Sequence, residues 1–141
     1  MYILDTDHMS LAEWRSSTTG QRLLARLRML PEKEVATTIV TYEEQMRGWL
    51  SVLARARSIS EQVEAYGRLK RLLTNYLEII VLEFDQKAAA EFERLRRLRL
   101  RVGTMDLKIA AIAFANDATV LTRNRKDFDQ IPGVQVEDWS V

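Results

Sequence analysis

The most constraining stretch of this 141-residue chain is Ile109-Ala-Ala-Ile-Ala-Phe-Ala115, a run that is apolar on nearly every side. Read as a helix over about 105–116, it presents no face suited to water, so it must be buried, and its alanines let it lie close against a sheet. The short apolar runs elsewhere in the chain supply that sheet.

Tyr2–Leu4, closed by Asp5, reads as a first strand, and a helix from about Asp7 carries Met9, Leu11, Ala12 and Trp14. Residues 18–30 place Leu23, Leu24, Leu27 and Leu30 at helical spacing, with Thr18 or Thr19 as cap and Pro31 as terminator. Val35–Val40 is β-branched and threonine-rich, as strands are, and leads into the helical stripe Met46, Trp49, Leu50, Leu53. A helix over about 60–74 uses Val63, Tyr66, Leu69 and Leu73, with Glu64 and Arg68 as a supporting pair. Glu78–Leu82 is a third strand. Ala88, Phe92, Leu95 and Val102 then mark a helix stopped by Gly103, with Thr104 capping the next. Thr119–Thr122 is a fourth strand and Val134–Val136 a short fifth. Strands alternating with helices predict an α/β fold with a mainly parallel sheet of four or five strands. In such sheets ligands sit beyond the carboxyl ends of the strands.

With 47% hydrophobic residues, the chain suffices for one sizeable core, and two Pro and five Gly leave no linker, so residues 1–141 read as a single domain. The start Met-Tyr-Ile-Leu-Asp lacks the pattern of a signal peptide and no segment has the length of a membrane span, which predicts a cytoplasmic protein. The five glycines are too scattered for a dinucleotide fingerprint or a P-loop. Zero cysteine and one histidine exclude disulfides, thiolate chemistry, H-E-x-x-H zinc sites and paired-imidazole catalysis. Hydrolytic chemistry, if present, falls to carboxylates and hydroxyls. A net charge of +1 means that any attraction for nucleic acid is local.

The acids that matter lie at strand ends. Asp5 follows the first strand, although Asp5 or Asp7 would serve equally well as a helix cap. Glu43 and Glu44 open the helix after the second strand; a helical wheel puts Glu43 beside the apolar stripe and Glu44 nearly opposite. Asp106 sits in the first turn of the buried helix, sharing the face of Ile109, Ala110 and Ala113, where the helix dipole favours its ionised form. Thr122-Arg-Asn-Arg-Lys-Asp127 follows the fourth strand as a loop, its three cations suited to a phosphate. Each acid alone has a plainer explanation as a cap, a dipole partner or a solvated charge. Jointly they converge in such a fold, and clustered carboxylates make physical sense mainly when a Mg²⁺ or Mn²⁺ neutralises them.

The blocks Tyr-Ile-Leu-Asp5-Thr-Asp, Thr41-Tyr-Glu-Glu44-Gln-Met-Arg-Gly48, Asp106-Leu-Lys-Ile-Ala-Ala-Ile-Ala and Val-Leu-Thr122 through Trp139 together resemble the VapC-type toxins of type II toxin–antitoxin pairs, which are PIN-domain ribonucleases. The resemblance implies a three-layer PIN fold and a Mg²⁺- or Mn²⁺-dependent endoribonuclease acting on RNA. It further implies a homodimer silenced by a VapB-type antitoxin. Asp5, Glu44, Asp106 and Asp127 would then be the metal ligands, Glu44 being chosen over Glu43 by the family spacing of an acid four residues before glycine. Thr6 matches a hydroxyl near the metal, while Asn124 occupies a place that is Asp in other branches; Thr122, Arg123 and Asn124 are the supporting or phosphate-binding candidates. Gln45 departs from the pattern, relatives commonly carrying an aliphatic residue there, which leaves the register of that helix open.

His8 reads as a first-turn polar residue with no second histidine to make a metal site, and Trp14 and Trp49 as core or dimer contacts. The run Arg94, Arg96, Arg97, Arg99, Arg101 suits RNA phosphates or an acidic antitoxin segment, but Glu93 four residues before Arg97 supports an ordinary solvated face. Two other functions compete. Asp5-x-Asp7 resembles the nucleophile motif of haloacid-dehalogenase-type phosphatases, against which Met9 counts, and a PIN-type chain can be a non-catalytic RNA- or protein-binding scaffold, although such scaffolds typically lose acids.

Overall fold

The structure, a computed structural model, describes residues 1–13 and 17–141; Trp14 lies outside the described residues. In chain order the elements are β1 (Tyr2–Leu4), α1 (Thr6–Glu13), α2 (Thr18–Leu27), a 3₁₀ turn (Glu32–Glu34), β2 (Val35–Thr38), α3 (Ile39–Arg55) and α4 (Ile59–Leu77). They continue with β3 (Ile80–Leu82), α5 (Gln86–Arg96), α6 (Thr104–Ala115), β4 (Thr119–Leu121), α7 (Arg125–Phe128) and β5 (Gln135–Glu137). The five strands form one sheet in the order β3-β2-β1-β4-β5, every pair parallel.

Alternation along the strands divides the interior into two cores. Ile3 and Val120 point into one, with α5, α6 and Phe128; Tyr2, Leu4 and Leu121 point into the other, with Met9, Leu23, Leu72 and Tyr76. The architecture is therefore helix, sheet, helix, as expected. α6 is buried as its composition demands, with Ile109 through Ala113 sealed from solvent.

Several boundaries differ from the sequence reading. The second strand ends at Thr38, two residues short of the expected Val40, because the Thr38 hydroxyl accepts the Thr41 N–H at 3.0 Å and caps α3. Ile39 and Val40 are thus helical. Ser17, not Thr18 or Thr19, caps α2, accepting the Gly20 N–H. α5 stops at Arg96, so Val102 belongs to the following loop, where it still packs on the core, and Gly103 is the N-cap of α6 instead of a stop. Glu93 pairs with Arg96 and not with Arg97. On α4 the apolar stripe is largely outward: Val63, Tyr66 and Leu73 are exposed, whereas Ala65, Leu72 and Tyr76 are buried. Leu50 of α3 is exposed as well.

The strand order reverses between the central strand β1 and its neighbour β4, from which the chain proceeds to opposite edges. A crevice opens at such a switch point, outside the carboxyl ends of the two strands. Asp5 directly follows β1 and Thr122 directly follows β4.

Candidate metal and nuclease site

Asp5 is the deepest acid of the crevice, only 4% exposed. Its backbone N–H extends the ladder by donating to the Leu121 carbonyl at 3.1 Å, which anchors it to β4. Its Oδ1 accepts the His8 N–H at 2.9 Å and so caps α1, while the Thr122 hydroxyl also bonds the carboxylate. Burial raises the Asp5 carboxyl to about 7; the Thr122 and His8 hydrogen bonds oppose the rise, and the charges of Asp7 and Asp106 add to it.

Asp106, half-buried in the first turn of α6, is likewise raised, first by burial and then by the charges of Glu44 and Asp127, with Asn124 opposing. Asp5 thus feels Asp7 and Asp106, and Asp106 feels Glu44 and Asp127, which places acids from four parts of the chain within electrostatic reach of one another. Glu44 lies in the second turn of α3, later than expected because α3 begins at Ile39, and its Oε2 accepts the Thr6 hydroxyl at 2.9 Å. Glu43 instead pairs with Arg47 on the exposed side of α3. Asp127 lies on the short helix α7 and not in a loop, and Asn124 Nδ2 donates to both Asp127 Oδ2 at 2.9 Å and Asp106 Oδ2 at 3.1 Å. Thr122, buried, accepts the Asn124 N–H and holds the turn that aims this amide.

Arg123, the expected phosphate contact, is paired with an acid of its own chain. Its guanidinium forms a two-point ion pair with Asp7, Nε to Oδ2 at 2.6 Å and Nη2 to Oδ1 at 2.9 Å, strapping the β4–α7 turn to α1. That pair also gives Asp7 a structural task.

Two features had no sequence signal beyond a polar letter. His8 is fully buried behind Asp5, its Nε2 accepting the Trp139 N–H at 3.3 Å, and burial lowers its tendency to protonate. Gln45, the departure from the family pattern, is also buried: its Nε2 donates to Ser10 Oγ at 3.1 Å and its Oε1 accepts the Tyr76 hydroxyl at 2.7 Å, tying α3 to α1 and α4. Trp49 packs at the edge of the second core.

Among the described residues no three carboxylates or imidazoles close on one point as a ready-made cage. The donor set nevertheless fits a hard cation. All its members are oxygens, Mg²⁺ keeps several waters and takes only one or two carboxylates directly, and a divalent charge would offset both the burial and the lesser mutual repulsion that lift Asp5 and Asp106.

Residues 2–134 match the PIN domain. The chain belongs to the PIN domain family. Over its full length this PIN domain is 27% identical to Ribonuclease VapC1 of Haemophilus influenzae, the match covering 99% of this chain and 98% of that protein. A segment of 63 residues is 36% identical to the tRNA(fMet)-specific endonuclease VapC of Salmonella typhimurium, spanning 42% of this chain and 48% of that one. In three dimensions the PIN domain superposes on DNA-bound VapBC from Salmonella typhimurium with a TM-score of 0.78, 22% identity and coverage of 98% and 97%. No helix among the described residues is long and apolar enough to cross a membrane.

Proposed function

We propose that this PIN domain is a metal-dependent endoribonuclease, the toxin of a toxin–antitoxin pair, in which Asp5, Glu44, Asp106 and Asp127 hold Mg²⁺ or Mn²⁺. The observation that carries the reading is the electrostatic coupling of acids from β1, α3, α6 and α7 around one switch-point crevice. The names of the VapC relatives, one a ribonuclease over nearly its whole length, support the same reading.

The chain's own groups prepare the site. Thr6 turns Glu44 toward the crevice, Thr122 fixes Asp5, and the Asn124 amide keeps Asp106 and Asp127 at a shared nitrogen instead of letting them splay. Burial keeps bulk water from screening Asp5. When bound, a divalent cation would supply an activated water and neutralise charge developing at phosphorus. The substrate would be RNA, placing the activity in the cytoplasm, and the inhibitor a VapB-type antitoxin. The outward apolar residues of α4, Val63, Tyr66, Leu73 and Leu77, offer surface that such a partner or a second copy would cover.

The deciding experiment is cleavage of single-stranded RNA by purified protein with Mn²⁺, with EDTA, and with Asp5→Asn. Cleavage that EDTA abolishes and Asp5→Asn lowers at least 100-fold is expected. Undiminished cleavage by the variant would sink the assignment. Growth arrest on expression, relieved by the cognate antitoxin gene, tests the toxin role separately.

A further inference from the structure

We propose that His8 is a positioning residue for Asp5, its Nδ1–H supplied from behind the carboxylate to orient that acid toward a cation. The inference rests on the metal-dependent reading above and adds a residue that carries no ligand role in it.

The His8 side chain is wholly buried between β1 and the C-terminal segment. Its Nε2 accepts the Trp139 backbone N–H at 3.3 Å, which assigns the proton of the neutral ring to Nδ1. Asp138 Oδ1 lies 3.8 Å from the same nitrogen, but that oxygen already accepts both the N–H and the hydroxyl of Ser140, at 2.8 and 2.6 Å. Nδ1 has no hydrogen-bond partner and stands 3.7 Å from Asp5 Oδ1, beyond hydrogen-bond reach.

A buried donor left unpaired costs about 1–3 kcal/mol, so the Nδ1–H gains from any acceptor that can reach it. One such acceptor is Asp5. A small rotation of that carboxylate brings its oxygen onto Nδ1–H. Carboxylates that bind metals are commonly oriented by such outer hydrogen bonds, and catalytic hydrogen bonds are often long before ligands arrive. Through Trp139 the same ring anchors the C-terminal segment, so one side chain joins the chain's end to the floor of the crevice.

Two amides separate the ring's two nitrogens. His8→Asn keeps a donor near the Nδ1 position and loses the acceptor for Trp139; His8→Gln keeps an acceptor near the Nε2 position and loses the donor toward Asp5. Calorimetric titration of the full chain with Mn²⁺ should give His8→Asn an affinity within about threefold of wild type and His8→Gln one about 10–100-fold weaker. Equal affinity for wild type and His8→Gln, or equal loss in both variants, overturns the proposal. Should either variant fail to fold, ¹⁵N spectra of the wild-type imidazole decide: a proton on Nδ1 and an Nδ1 resonance that moves on adding Mg²⁺ are expected, and a proton on Nε2 overturns it. Wild-type protein that takes up no Mn²⁺ removes the parent reading and this one together. Normal uptake with an unaffected His8→Gln removes only the role of His8.

Discussion

The carboxylate of Asp5 accepts the His8 N–H, as a helix cap does, and sits in the crevice as a candidate ligand does. The two roles the sequence left open are compatible, because a cap occupies one lone pair and leaves the others to the crevice. Burial raises Asp5 to about 7, above the ordinary carboxyl value it has when unfolded, so the folded protein binds this proton more tightly than the unfolded chain does. That contribution is fully present below about pH 4 and is lost as pH rises through about 7. Asp5→Asn retains the cap and removes the charge. In EDTA the variant should therefore match wild type near pH 4 and exceed it at pH 8 by roughly 2–4 kcal/mol in urea unfolding. A variant no more stable than wild type at pH 8 contradicts the raised carboxyl. Asp5 and Asp106 were legible as site candidates from their places at strand and helix ends, whereas position left Glu43 and Glu44 open and only the resemblance to the family's spacing chose Glu44. The pairing of Arg123 with Asp7 was not, since it joins residues 116 positions apart and nothing local encodes it.

α3 shows how an element is set by groups that periodicity does not weigh. Hydrophobic spacing located the helix, yet its start depends on the Thr38 cap and its rotation on Gln45, which a pattern of apolar letters treats as an interruption. With Gln45 bonded to Ser10 and Tyr76, Glu44 is carried to Thr6 and Glu43 is left with Arg47 outside. The outward stripe on α4 has the opposite cause: its spacing is regular, but the helix packs through its other side, Ala65 next to α3 and Leu72 and Tyr76 in the second core. Gln45→Leu should cost about 1–3 kcal/mol, because it takes from the buried Tyr76 hydroxyl its Gln45 acceptor and leaves it only Thr37. Adding Tyr76→Phe to it should recover part of that loss, so the double variant is less destabilised than the sum of the singles. Strict additivity in thermal or urea unfolding would mean that the bridge does not hold α3. Glu43→Gln, in the same helix but outside the crevice, should leave Mn²⁺ affinity within about twofold, whereas Glu44→Gln weakens it about tenfold or more.

At the scale of the whole molecule, the parallel order β3-β2-β1-β4-β5 brings together acids spaced over 122 positions of the chain, from Asp5 to Asp127. The strand alternation and the buried α6 made that sheet legible, while α7 was hidden because four residues hold too little periodicity to register. Folding brings the acids together without the charge that would neutralise them, so binding of a cation and stability of the fold are linked. Mn²⁺ at 100 times its dissociation constant should stabilise the protein by about 2.7 kcal/mol and raise the melting temperature by several degrees. The shift should be larger at pH 8 than at pH 5.5, since a cation displaces the Asp5 proton that burial retains below about 7. It should vanish in a variant lacking both Asp5 and Asp106 carboxylates, because these are the two acids whose charged forms burial and neighbouring carboxylates disfavour and a cation would favour. A melting temperature that Mn²⁺ leaves unchanged at pH 8 would mean that the crevice gathers its acids for something other than a metal.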